Sequence, residues 1–179
     1  MIKGFFGHLW VIMRHRRKVI GHCYKAGVLW QGFTHDLSKY SPAEFWSGVK
    51  YFQGYRSPND AQREADGYSS AWLHHKGRNR HHFEHWTDYD PKTRKIVPVE
   101  MPKKYVAEMF CDRLAASKIY NGKNYTNHHP LDYFIGAKSV RVIHPAASDL
   151  LEHLLTVLAE KGEKAAFSAV RAMVKEEKR

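Results

Sequence analysis

Apolar residues recur at three- and four-residue steps along most of this chain, and glycine or proline punctuates the recurrence, which is the signature of helices packed in succession. Phe5, Leu9, Ile12, Val19 and Cys23 fall mostly at such steps within residues 5–26, and Gly27 stands where that helix should stop. Ser41-Pro42-Ala43-Glu44 has the S-x-x-E form of a capping box with proline at the first helical position, which predicts a helix over about 42–53 ending near Gly54. From Tyr55 the chain reads as a turn and then a helix through His74. Gly67 is carried inside it at about 1 kcal/mol relative to alanine, and Gly77 interrupts it. Two prolines around Ile96-Val97 make residues 88–102 a loop or short hairpin. Further helices are predicted over 102–120, 130–138, 146–161 and 163–177, the last two meeting at Gly162. No repeat or low-complexity linker divides them, so residues 1–179 read as one all-α domain of about six to eight helices.

A chain of 179 residues with 43% hydrophobic residues can bury one sizeable core. Cys23 and Cys111 lack zinc-ribbon spacing and sit in helix-like stretches, which argues against a disulfide framework and for a reducing cytoplasm. No apolar run reaches the roughly 18 residues that cross a bilayer. The first 19 residues contain an apolar stretch, but a histidine interrupts it, basic residues follow it and no small-residue cleavage site appears, so a secretory signal is not expected. An interfacial role for that segment stays open. The net charge of +11 favours anionic partners. The basic residues are dispersed over 14–25, 76–80, 92–104 and 161–179, which favours a small anionic substrate over nucleic acid.

The histidines carry the chemistry. His35-Asp36 is a single dipeptide, ordinary in a chain with 13 histidines. His8, His15 and His22 recur every seven residues on one helical face, but successive members stand about 10.5 Å apart along the axis, so at most one of them can join a given single-ion site. Residues 74–85 hold His74, His75, His81, His82 and His85, the densest cluster in the chain. His81 and His85 are spaced i, i+4 and can share an ion if helical, although Glu84 is not placed as in a zinc-protease H-E-x-x-H motif. Asp112 lies in the apolar turn Met109-Phe110-Cys111-Asp112-Arg113-Leu114. A buried carboxylate there costs several kcal/mol unless something positive faces it, and a metal ion or a histidine from another helix is the expected partner.

Read in order, His15, His35-Asp36, His74, His81 or His82, and Asp112 resemble the ligand order of the HD-domain superfamily of metal-dependent phosphohydrolases. The blocks HDLSK (35–39), AWLHHKGRNRHH (71–82), VEMPKKYVAEMFCDR (99–113) and IHP (143–145) resemble more closely an uncharacterised bacterial family. The superfamily resemblance implies an HD-domain-like helical fold in which His15, His35, Asp36 and Asp112 hold a divalent ion, with His22 as the alternative to His15. It also implies that His74 and His81 or His82 serve a second ion. Asp36 would then bridge the two. Lys39 follows three residues after the pair and could neutralise charge on a phosphate, while Lys76 or Arg78 could hold the substrate.

Nitrogen and oxygen ligands rich in histidine suit one or two ions of Mn, Fe, Co, Ni or Zn. The expected function is hydrolysis of a phosphate ester or nucleotide. Its rivals are di-iron oxygen chemistry on the same scaffold and a non-enzymatic helical protein that binds nucleotide or nucleic acid.

Overall fold

The computed structural model describes residues 2–177, and over them the chain forms eight α-helices and one two-stranded hairpin. Helices α1 (Ile2–Ala26), α2 (Leu29–Thr34), α3 (Pro42–Lys50), α4 (Pro58–Asp66) and α5 (Ser70–Arg78) precede the hairpin. Strands β1 (Thr87–Asp90) and β2 (Lys95–Pro98) pair antiparallel, Thr87 opposite Pro98. Helices α6 (Lys103–Asn121), α7 (His129–Gly136) and α8 (Pro145–Glu177) complete the fold. Two short 3-10 turns, Leu37–Tyr40 and Phe83–His85, lie beside the histidine-rich segments.

Helix α6 is the axis of the domain. Val106, Ala107, Phe110, Cys111, Leu114 and Ala115 are fully buried, so the helix is apolar over much of its circumference and is packed on several sides. Helices α1 and α8 lie against it, and Val19, Cys23, Leu154 and Leu158 join its side chains in one core. The two cysteines are free and buried in that core.

Glycines set how closely the elements approach. Gly27, at φ +77°, ends α1 and turns the chain back along it as α2. A side chain on Gly32 would begin 2.8 Å from the Cys23 Cβ and 3.1 Å from the Ile20 Cα, so α2 rests almost backbone to backbone on α1. That contact fixes the entry of the His35-Asp36 turn.

The predicted helices 146–161 and 163–177 are both present as the two arms of α8, and they meet at a break at Gly162, whose φ of 77° and ψ of 177° are not helical. Helix α3 stops at Lys50, short of 53. The single helix expected through His74 is two: Gly67, at φ +80°, closes α4 with its N–H on the Arg63 carbonyl, and the Ser69 hydroxyl accepts the Trp72 N–H to start α5. Gly67 is therefore a helix terminator, and Gly77 is carried within α5. Ser41 makes no side-chain cap and its N–H bonds the Ser38 carbonyl at 2.8 Å, while Glu44 turns inward toward His74 and His75.

His8 sits over Gly48, where a side chain would begin 2.0 Å from its Nε2. Burial, and then the Lys39 charge, pushes its pKa from the usual 6.5 down to about 4. The unfolded chain takes up this proton at higher pH than the folded one, so the His8 contribution to stability is lost as pH falls from about 6.5 toward 4. An NMR titration should find His8 titrating near pH 4; a midpoint at the usual value would contradict the buried notch. Gly32→Ala should lower stability by about 1–3 kcal/mol, read as a lower urea midpoint. An unchanged midpoint would contradict the close α1–α2 contact.

Candidate metal centre

Asp36 is the hinge of the site. It has a left-handed backbone, φ 55° and ψ 25°, a conformation that aspartate tolerates better than most residues. Coming after extended His35, that twist turns the two neighbouring side chains into the same interior, where His35 and Asp36 are each 1% exposed.

The two Asp36 oxygens face different partners. Oδ2 lies 3.3 Å from His35 Nε2 and 3.8 Å from His15 Nε2, and Asp112 Oδ1 closes this group at 2.9 Å from His15 Nε2 and 3.5 Å from His35 Nε2. Oδ1 lies 3.3 Å from His75 Nε2 and 3.5 Å from His81 Nε2, and His82 Nε2 joins this second group at 2.9 Å from His75 Nε2. Two four-residue groups result, His15/His35/Asp36/Asp112 and Asp36/His75/His81/His82, and in each the ligand atoms fall within 4.8 Å of one another. Ligands at about 2.1 Å from a common ion lie roughly 3.0 Å apart at right angles and 3.4 Å apart in a tetrahedron. The closest separations in each group match those values.

Tautomers sharpen this reading. His35 and His81 both donate Nδ1–H to Glu108 Oε1, at 2.9 and 3.0 Å, and His75 donates Nδ1–H to Glu44 Oε2 at 2.7 Å. Each of these rings in its neutral form turns an Nε2 lone pair toward the Asp36 carboxylate. Acceptor then faces acceptor unless a proton or a metal ion lies between them. Asp36 Oδ1 and His81 Nε2 are buried without a hydrogen-bond partner, which an ion in the second group would relieve. Carboxylates that orient metal-binding imidazoles through the far nitrogen are the usual second layer of such sites.

The electrostatics carry the same demand for positive charge. Burial works against ionisation of Asp36, but His35 and Lys39 outweigh it and hold the carboxyl well below the usual range. Asp112 is held low in the same way by His15 and His35. Burial also opposes charge on His35, yet Asp36, Asp112 and Glu108 raise its pKa well above 6.5. His15 is pushed down by burial, and His82 by burial and then by His81 and His75 beside it. Lys39 Nζ sits 2.6 Å from Asp36 Oδ2 with its side chain 31% exposed, a cation between the cluster and solvent.

The structure brings together His15, His35, Asp36, His81, His82 and Asp112 from the expected set. His74 is outside both groups; its Nδ1 bonds Glu44 Oε1 at 2.6 Å, and the neighbouring His75 occupies the place expected of it. His22 bonds the Cys111 carbonyl at 3.2 Å. His85 packs on Trp86, because residues 79–82 form a turn that points His81 and His82 inward together. Arg78 is exposed and bonds its own helix at the His74 carbonyl; neither it nor Lys76 makes a polar contact with the cluster. His75, Glu44 and Glu108 are not among the ligands expected from the sequence. Helical phase could have found two of them: His75 follows buried Ala71 by four residues, and Glu108 precedes Asp112 by four.

Fold and site together define a compact all-α protein with a buried histidine–carboxylate cluster able to hold metal. The chain belongs to the family described as "Family of unknown function (DUF5662)", whose family model matches residues 5–157, a span that contains every cluster residue. No curated protein and no solved structure matches the chain.

Elemental analysis should find up to two transition-metal ions per chain. Asp36→Ala should abolish binding, His82→Ala should remove one ion, and His74→Ala should retain both. Glu108→Gln should weaken binding by about 10–100-fold. Full metal content in Asp36→Ala would contradict the shared-carboxylate arrangement.

Proposed function

We propose that this protein is a metal-dependent phosphohydrolase of the HD-domain type, acting on a small phosphate ester or nucleotide, in which His15, His35, Asp36 and Asp112 would hold one divalent ion and Asp36, His75, His81 and His82 a second. The observation that carries the reading is the division of the Asp36 carboxylate, with Oδ2 among His15 and His35 and Oδ1 among His75 and His81. Divalent ions of Mn, Fe, Co, Ni or Zn in the two groups would polarise a phosphoryl oxygen and make a water more acidic.

The chain's own residues have separable tasks. Glu108 holds His35 and His81 in the tautomer that presents Nε2, and Glu44 does so for His75. Lys39 stands at the solvent side of Asp36, where its ammonium can neutralise an incoming phosphate oxygen. The positive net charge draws a small anion toward the site without a concentrated nucleic-acid surface. Two free buried cysteines fit a cytoplasmic setting, and among the described residues no helix is long and apolar enough to cross a membrane.

A second reading, di-iron oxygen chemistry, is favoured by one feature: three histidines, His75, His81 and His82, complete the second group. Metal-reconstituted protein offered a panel of phosphate esters and nucleotides should release inorganic phosphate. Asp36→Asn should lose at least about a hundredfold in turnover while its far-ultraviolet circular dichroism is retained. Normal turnover by that variant would refute the hydrolase assignment. Dioxygen consumption by the iron form without phosphate release would transfer the site to the second reading.

A further inference from the structure

Helix α1 carries a stripe that the fold leaves uncovered. Ile2, Phe6, Trp10, Met13 and Tyr24 are 51–76% exposed, on a 25-residue helix. At about 100° per residue they share one side, opposite to buried Ile12, His15 and Val19. The stripe continues onto its neighbours. Trp46 of α3, 57% exposed, lies 6.0 Å from the Phe5 ring, which meets Phe6 at 5.3 Å. Farther along, Met13, Arg16, Arg17, Ile20 and Tyr40 surround a shallow depression, with the Arg16 guanidinium 5.5 Å from the Tyr40 ring and bonded to the Phe33 carbonyl at 2.8 Å. Contiguous apolar surface of this kind marks an interaction face.

Charge selects what covers it. Residues 2–50 contain eight lysines and arginines, and their two carboxylates, Asp36 and Glu44, are both buried in the histidine cluster. Arg16 falls on one edge of the stripe, Lys3 and Arg14 on the other, and Arg17 within it. A second copy of this face would bring the same cations, and residues 2–50 have no exposed carboxylate to pair with them. An apolar stripe with tryptophan, rimmed by cations on a helix not apolar enough to span a bilayer, has the form of a surface-lying membrane helix.

We propose that the α1 face docks the protein on an anionic lipid surface. Phe6, Trp10 and Met13 enter the headgroup–acyl boundary while Lys3, Arg14, Arg16 and Arg17 meet the lipid phosphates. His15 projects from the opposite side of α1, so the histidine cluster faces away from the bilayer. The inference is independent of the phosphohydrolase reading.

The test is sedimentation of the full chain with vesicles of phosphatidylcholine alone or with about 30% phosphatidylglycerol, whose charge sets the surface potential. The protein should pellet with the anionic vesicles only, its tryptophan emission should shift to the blue, and raised salt should release it. Trp10→Glu should cut the bound fraction at least tenfold with circular dichroism unchanged. Paired Arg14→Glu and Arg17→Glu substitutions, which leave the apolar stripe intact, should do the same and carry the test if Trp10→Glu fails to fold. Absence of binding to anionic vesicles at low salt would overturn the proposal. So would a solution dimer that Trp10→Glu dissociates, which would assign the face to a second copy.

Discussion

The structure depends on one buried carboxylate. Asp36 is removed from water, and its charge would cost several kcal/mol if nothing positive met it. What meets it comes from five directions: His15 from α1, His35 from its own turn, Lys39 from the 3-10 turn that follows, His75 from α5, and His81 from the turn after α5. Helix α6 adds Asp112 and Glu108 one turn apart. These segments are far apart in the chain, so the cluster forms only when the whole domain has folded, and the domain gains a polar interior that only cations or protons can balance.

A second layer gives the cluster its direction. Glu108 takes two Nδ1 protons on one oxygen, and Glu44 uses its two oxygens for His74 and His75. Fixed far nitrogens mean fixed near lone pairs, which is preorganisation for a metal ion. The helix that carries Glu108 is also the one packed on several sides, so the most constrained element of the core holds the orienting acid. The opposite side of α1 is built to another rule, leaving its aromatic residues in solvent between basic neighbours. One helix thus contributes His15 to the interior and an adhesive stripe to the exterior.

Much of this was legible because helices advertise their ends. Gly27 and Gly162 mark boundaries whose positive φ favours glycine, Pro42 opens α3, and the His-Asp pair and Asp112 stand out as charge in apolar company. Other features were hidden by local rules that tertiary contacts override. Glu44 fits a capping box so well that its inward turn to the histidines has no local sign. His74 and His75 are adjacent, and only the phase of a helix beginning at Ser70 distinguishes them; a helix drawn from the fifties through Gly67 blurs that phase. His81 and His82 both point inward because the segment is a turn, so an i, i+4 pairing with His85 does not apply. Glu108 leaves no mark except its spacing from Asp112. Lys76 and Arg78 are basic and near the histidines in sequence, but neither makes a polar contact with the cluster.

The central claim is that Asp36 divides its oxygens between two ions. Anomalous diffraction from crystals of the metal-loaded protein tests it most directly. The account predicts two peaks about 3.5–4 Å apart, one beside His15, His35 and Asp112 and the other beside His75, His81 and His82, with the Asp36 carboxylate between them. A single peak coordinated without Asp36, or metal bound only at surface histidines, would contradict it.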